Sequence, residues 1–486
     1  MQHNKLYIFF GASIGFIALN TLLIVNGIYW LMALPVALAI LLLFLFSLDK
    51  LLLVIVALTP LSVRYYNEAL GFAINMPTEP LIVAIMFVFF LKLFYEQEYD
   101  KNILKHPITI IIIIQLLWMF ITSVTSEIPV VSFKAFFSRL WFVVAFYFVA
   151  IKLFKKNENI HHFFWLYGIS LAVVVIYITI MHSTFGFDRR VGTWIQHPFF
   201  NDHTHYSAVL SFILPLFIIM SFYKGYSLVR RRVALAIFCV LLAGLFFSFS
   251  RASWLSTFIA FSLFWVLALK INFKLLLASS FLVVGLLFTF QNEILMQMER
   301  NRQDSSQNVR EHIQSIANVQ TDASNLERIN RWRAAIRMFQ ERPIVGWGPG
   351  TYQKVYAPFQ LSEHRTIITT NFGDVGNAHS EYLGPLAESG LAGMLIMFVL
   401  AGAVLALGIK NFRNAPSKEH RWISLAITLG FITYFTHGFL NNYLDTDEAS
   451  VLFWGFVAIL VAIDVYHTPK NDTKILSQRA ESDDKI

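Results

Sequence analysis

Apolar runs of about twenty residues recur from one end of the chain to the other, and no other feature constrains the fold as tightly. A helix needs roughly 20 apolar residues to cross the hydrocarbon core of a bilayer, because each residue adds only ~1.5 Å. Fourteen such runs lie near residues 6–25, 28–48, 51–63, 78–94, 108–125, 139–154, 162–182, 206–223, 233–249, 253–269, 275–290, 390–409, 423–439 and 449–466. The third is short and followed by a polar loop, so a re-entrant segment is an alternative there. Of the 486 residues 57% are hydrophobic and 14% charged, where a soluble chain carries roughly 25% charged residues. Mean hydropathy is +0.59. A soluble enzyme, a disordered chain and a secreted disulfide scaffold are excluded, the last also by the single cysteine, Cys239. The fold class is an all-α polytopic membrane protein, with about 12–14 transmembrane helices and one large, partly helical external loop.

Residues 1–20 hold a lysine and an apolar stretch but end in no small-residue cleavage site, so they read as a retained first span. With the N-terminus in the cytoplasm, cytoplasmic segments hold 22 of the 38 Lys and Arg, and short external loops hold six. The other ten lie in one long external segment, which the positive-inside bias does not govern. This asymmetry favours both termini inside. It also accounts for the net charge of +8 without a nucleic-acid partner. Four regions follow: an N-terminal transmembrane bundle of about eleven spans over 1–290, a large external loop over 291–389, three C-terminal spans over 390–466 and a polar cytoplasmic tail over 467–486.

The external loop carries nine arginines and one lysine against eleven acidic residues. Arginine is the residue for bidentate recognition of phosphate or carboxylate. Ser324-Asn-Leu-Glu327 is a capping box that opens a helix running to about Glu341. In it Ile329, Trp332, Ile336 and Phe339 form an apolar stripe flanked by Arg328, Arg331, Arg333 and Arg337. An amphipathic helix lying on the membrane with solvated arginines is the alternative reading. Pro343 ends the helix, and Gly346-Trp-Gly-Pro-Gly350 makes a tight turn. Asn377-Ala-His379-Ser-Glu381-Tyr382 then starts a short helix before the next span, followed by Glu388 and Gly390. A histidine at a membrane face suits general acid–base work, or it simply hydrogen-bonds.

Three further polar stretches fall on the same face. Ser250-Arg251-Ala-Ser253-Trp254 interrupts two apolar runs, and arginine at membrane depth either faces an interior site or snorkels to headgroups. Asp188-Arg189-Arg190-Val-Gly192 puts two arginines where the charge bias disfavours them, which argues for an anionic ligand. Asp202-His203-Thr-His205 could suggest metal, but no third cluster at ligand spacing supports it, and polar contacts to a sugar fit better. His437, Asn441, Asn442, Asp445 and Asp447 follow in the last external loop. An anionic lipid phosphate with a polar head is the economical common ligand.

This ordered set resembles the O-antigen ligase and polymerase superfamily of bacterial membrane glycosyltransferases. The stretches that carry the resemblance are Arg190-Val-Gly192, Phe249-Ser-Arg251-Ala-Ser-Trp254, Arg331-Trp332 through Pro343 to Gly346-Trp-Gly348, and Asn377-Ala-His379-Ser-Glu381-Tyr382 with Glu388-Ser-Gly390. Together they cover about residues 185–400; earlier spans match only in hydropathy. The resemblance implies transfer of a glycan from a polyprenyl (undecaprenyl) diphosphate carrier to an acceptor hydroxyl. It implies a reaction on the periplasmic face of the bacterial inner membrane, inverting and independent of metal or other cofactor. Carried over by residue, His379 deprotonates the acceptor, and Arg190, Arg251 and one of Arg331, Arg328 or Arg333 grip the diphosphate. Arg189, His203, His205, Asn377, Glu381 and Tyr382 are candidate glycan or acceptor contacts. The expected partners are the lipid-linked donor, a lipid A-core or growing glycan acceptor, and membrane lipids. Ligase, repeat-unit polymerase and protein glycan transferase share these motifs; the long, singular loop favours ligase. A flippase of lipid-linked glycans would need a charged or polar path through the bilayer core, and these spans are nearly charge-free.

Overall fold

The computed structural model describes residues 2–27, 30–35, 38, 47–67, 72–268, 285, 289, 323–361 and 376–468. The expected spans at 28–48 and 275–290 lie largely outside the described residues, as do loop residues 291–322 and 362–375 and nearly all of the tail. Contacts divide the chain into units Met1–Ile55 and Val56–Ile486. The first contains helix α1 (Gln2–Val25) and a 3-10 turn, Trp30–Ala33. Helix α2 (Leu48–Leu58) carries the chain out of it.

The second unit opens with a hairpin, β1 (Val63–Asn67) antiparallel to β2 (Phe72–Met76), with Val63 opposite Met76. Its helices are α3 (Thr78–Glu96), α4 (Pro107–Val124), α5 (Pro129–Leu153, through a π turn at Val144–Val149) and α6 (Asn157–Thr184). Next come α7 (His203–Phe222), α8 (Leu228–Phe247) and α9 (Arg251–Ala268). Helix α10 (Ala323–Glu341) belongs to the long loop, and α11 (Leu383–Asn414), α12 (Lys418–His437) and α13 (Asp447–Tyr466) complete the unit. Seven of the described helices are long and apolar enough to cross a membrane. The protein is an all-α polytopic membrane protein.

Helices α7 and α13 form the centre. Each has 83% of its spanning window buried, which suits helices apolar all round. Helix α7 packs against α8, α9 and α12, and α11 packs against α4, α10 and α12. The loops fall into two sets at opposite helix ends. At one end His106 meets Asp464, and Tyr466 donates to Asp100. At the other, Arg64 donates to Asn201 (2.9 Å) and the Glu127 N–H donates to the Trp347 carbonyl (3.1 Å).

Three expectations are corrected. The third apolar run is an 11-residue helix followed by a 3-10 turn and the hairpin, too short to span as a helix. The run expected at 139–154 begins at Pro129, so Arg139 lies inside a helix; it is tolerated there because Asp445 accepts its Nη2 (2.6 Å) and Nε (3.1 Å). The loop helix does not bury its apolar stripe. Its buried residues are Glu327, Asn330, Arg331, Ala334, Ala335 and Met338, while Ile336 is 42% exposed. The alanines permit close approach, and Ala335 and Met338 join Trp347, Tyr352, Tyr356, Ala378 and Ala387 in a small core of their own. That core fastens the loop to the start of α11.

Candidate active site

Four separated stretches meet at the end of the bundle that carries the hairpin, and glycines set how closely. At Gly192 a Cβ would lie 3.1 Å from both the His182 and the Phe249 rings, so the 188–193 turn packs directly on the residue before Ser250 and Arg251. Gly376 (φ +101°) lies under the Arg331 guanidinium, with the Cβ position only 1.8 Å from Nη1. Gly346 and Gly348 place the tight turn on α11: Trp347 N–H donates to Ala387 O (3.1 Å) and Gly348 N–H to Glu388 O (2.7 Å). At Gly390 (φ 68°) the kink in α11 admits the Ile344 carbonyl, 2.1 Å from where a Cβ would stand.

The segment before α11 is not helical: residues 376–380 run without regular structure, and the helix begins at Leu383. His379 itself has φ 47°, the left-handed region, and its N–H is held by Asn377 Oδ1 (3.0 Å). A non-glycine residue there is held by its surroundings, which is common at functional sites. Trp332 Nε1 donates to the His379 carbonyl at 3.5 Å.

Electrostatics shows which groups share the space. His379 is acted on by Arg328, Arg331 and Asp202; Arg251 by Arg328 and Arg189; His203 by Asp202, Arg328 and Arg189. Burial, reinforced by the Arg328 and Arg331 charges, pulls the His379 imidazole down to about 4. It is therefore neutral at physiological pH. Burial also holds Arg328 and Arg189 below the usual guanidinium range. Against the upward push of burial, Asp202 stays below the normal carboxylate range because Thr204 and His205 hydrogen-bond to it. Its Oδ1 caps α7 by accepting from the Thr204 (2.7 Å) and His205 (2.9 Å) N–H groups. Arg328 and Arg189 thus act together on Arg251, which concentrates positive charge at this end of the bundle.

The predicted residues separate into two groups. Arg189, Arg251, Arg328, His203 and His379 come together. Arg190, expected to grip the diphosphate, is exposed, and its half-buried neighbour Arg189 takes the inward position. Among the loop arginines Arg328 reaches furthest into the cluster. Arg331 is buried and braced by Glu327 (2.9 Å), the Asn377 carbonyl (3.1 Å) and the Tyr356 ring. Arg333, half-buried, is not among the charges that act most strongly on His379 or His203. Glu381 and Tyr382, expected as glycan contacts, are packed inward. Burial raises the Glu381 carboxyl, whose Oε1 accepts from Tyr434 OH (2.6 Å), Tyr443 N (2.7 Å) and Leu444 N (2.9 Å). Tyr382 stacks on Phe398 and donates to Phe435 O. Asn377 is spent on the loop backbone and Arg331. His205 faces away, stacked on Tyr443, and lines a separate polar cavity of ≈ 190 Å³ with Arg64, Glu79 and Glu448. Among the described residues no group of three or more His, Cys, Asp or Glu side chains could hold a metal ion.

Residues 234–398 match the family model for O-antigen ligase. The match supports the O-antigen ligase superfamily. It takes in about a third of the chain, from α8 through Arg251, the loop helix and His379 into α11. Arg189 and the 438–446 loop lie beyond its ends. No curated protein matches the chain. The superfamily comprises ligase- and polymerase-type membrane enzymes.

Proposed function

We propose that this protein is a membrane glycosyltransferase that moves a glycan from a polyprenyl diphosphate carrier to an acceptor hydroxyl, as an O-antigen ligase acting on lipid A-core. The observation that carries the proposal is a neutral histidine, His379, within reach of Arg328 and Arg331, where Arg328 also acts on Arg251 together with Arg189. In the reaction the imidazole of His379 takes the acceptor proton, and the hydroxyl oxygen bonds to the anomeric carbon. The bond from that carbon to the diphosphate oxygen breaks, and its electron pair leaves with the diphosphate. Charge grows on the departing group, where preorganised guanidinium groups stabilise it most. Attack opposite the leaving group inverts the anomeric centre, and holding both reactants in line supplies much of the remaining acceleration. The site is assigned to the periplasmic face of the inner membrane, with both termini cytoplasmic.

Reconstitution in liposomes with a polyprenyl-diphosphate oligosaccharide tests the proposal, with lipid A-core in one arm and no added acceptor in the other. Transfer to lipid A-core by the wild type, lost in His379→Ala, is the expected result. A ladder of lengthened carrier-linked glycan without acceptor would assign repeat-unit polymerase instead. Wild-type rates from His379→Ala would reject His379 as the base.

A further inference from the structure

A polar cavity separate from the arginine cluster opens at the same end of the bundle. It measures ≈ 190 Å³, and its walls come from the hairpin, the start of α3, the 198–205 stretch and the loop leading into α13. Arg64 and Asn201 stand at its rim, both exposed, with Arg64 Nη1 donating to Asn201 Oδ1 (2.9 Å). His205 and Glu448 line its base and are buried, 1% and 4% exposed. A cavity of about 150 Å³ admits a benzene ring, so this one takes a single six-membered ring and not an extended chain.

The hydrogen bonds around the cavity leave acceptors in surplus. The Thr446 hydroxyl donates to the Tyr443 carbonyl (2.7 Å), so its oxygen accepts from His205 Nε2, 2.9 Å away. Nε2 therefore carries the ring proton, with Glu448 Oε2 3.4 Å from it, and the neutral imidazole keeps its lone pair on Nδ1. That nitrogen has no hydrogen-bond partner among the described residues. A carboxylate has about four lone-pair sites, and on Glu79 the Asn75 amide takes one of them (3.2 Å). Asp445, at the rim, is paired with Arg139. The walls thus set two carboxylates, Glu79 and Glu448, against one guanidinium, Arg64. This balance is the reverse of that in the arginine cluster. It disfavours a phosphate and suits a neutral ligand whose O–H groups donate.

Tyr443 joins the cavity to the candidate active site. Its ring stacks on His205 (5.1 Å between centroids), its hydroxyl bonds Thr204, and its N–H donates to Glu381 Oε1 (2.7 Å), two residues beyond His379. We propose that the cavity is a carbohydrate subsite, which seats one neutral sugar ring of a glycan substrate through hydroxyl groups that donate to these acceptors. The inference rests on the glycan-transfer reading above. The ring belongs to the donor glycan or to the acceptor, and its recognition is the same chemistry in both cases.

The test uses the full-length protein in detergent and the variants Glu448→Gln, Ala73→Phe and Asn201→Ala. Ala73 lies in β2 opposite Tyr66 and lines the cavity, so phenylalanine there fills it without removing a polar group. Saturation-transfer NMR reads the binding of two phosphate-free probes, the glycan released from the carrier and the dephosphorylated core oligosaccharide. Binding is measured in the His379→Ala background, where it does not depend on turnover. One probe should bind, and Glu448→Gln and Ala73→Phe should each weaken it by about tenfold or more, the worth of one hydrogen bond to a charged group. Asn201→Ala, at the rim, should weaken it less. With His379 intact, the same variants should raise KM for the matching substrate, donor or lipid A-core, by the same factor and leave kcat within about twofold. The probe that binds tells donor from acceptor. Binding of neither probe, or equal binding in every variant, would overturn the proposal. Should Glu448→Gln fail to fold, Ala73→Phe decides. Probe binding that the cavity variants lose, in a protein that transfers nothing, would keep the subsite and reject the transferase reading. Normal transfer with unaltered KM in those variants would reject the subsite alone.

Discussion

Replacing Arg328 by Gln should shift the acidic limb of the pH–rate profile upward. The neutral form of His379 accepts the proton, so activity is present above its pKa and is lost as the pH falls through it. The drop from 6.5 to about 4 corresponds to about 3 kcal/mol set against the imidazolium. Burial is its largest cause and persists in the variant; Arg328 is the largest charge. In an effective dielectric of ~20 one nearby unit charge is worth on the order of one pK unit. The limb in kcat/KM should therefore rise by about one unit without reaching 6.5. Initial rates of glycan transfer in liposomes at constant ionic strength, over roughly pH 3.5 to 8, measure it as the titration of the free enzyme's base. The plateau should also fall by ~10²-fold, because Arg328 would lose its hold on the leaving group. A limb near 6.5 in the wild type, or one that does not move in Arg328→Gln, would refute the electrostatic account whatever the plateau does.

Arg189→Ala should reduce kcat/KM by at least about tenfold, the cost of one charge-assisted contact, and Arg190→Ala by much less; donor-dependent rates of the two variants decide which arginine faces the ligand. Arg333→Ala should stay within about twofold of wild type in the same assay, because Arg333 is not among the charges that act most strongly on His379. Gly390→Ala should destabilise the protein by more than ~3 kcal/mol, since the added methyl meets a backbone carbonyl that cannot turn away; a thermal melt in detergent reads this, and an unchanged midpoint would show that the kink can relax. Gly376→Ala should lower the same midpoint, and should lower kcat as well by displacing the Arg331 guanidinium, which meets the added methyl.

Much of this arrangement was legible in the chain, and the rest was hidden for identifiable reasons. Hydropathy alone recovers most of the described apolar helices, because backbone polar groups in lipid must be satisfied within the segment. It misplaces the start of α5, since Arg139 looks like a loop residue until Asp445, some three hundred positions away, is seen to pair with it. It also misreads the 51–63 run, whose apolar character continues past the point where Pro60 and the hairpin stop the helix. The choice among the loop arginines was open to a finer reading. At about 100° per residue, Arg328 and Arg331 stand roughly 60° apart, while Arg333 and Arg337 lie on the far side of the helix. Glu327, four residues before Arg331, was a further signal that this arginine is braced from within its own helix. What no local pattern carries is which of two adjacent arginines, 189 or 190, turns inward.

The cations of this site act in opposite directions before and after the donor arrives. Arg328 and Arg331 suppress the basicity of His379, leaving it neutral but a weak proton acceptor. In the proposed reaction the bound diphosphate offsets those charges, and the penalty on the imidazolium falls as the clamp fills. Proton uptake by His379 and charge build-up on the leaving group then favour each other through the same guanidinium groups. The acceptor hydroxyl loses its proton most readily when a donor is in place. This coupling needs the loop helix to stand within electrostatic reach of both groups. The small core around Met338, Trp347 and Tyr352 holds it there, so in the proposed reaction the packing of the loop helix becomes part of the chemistry.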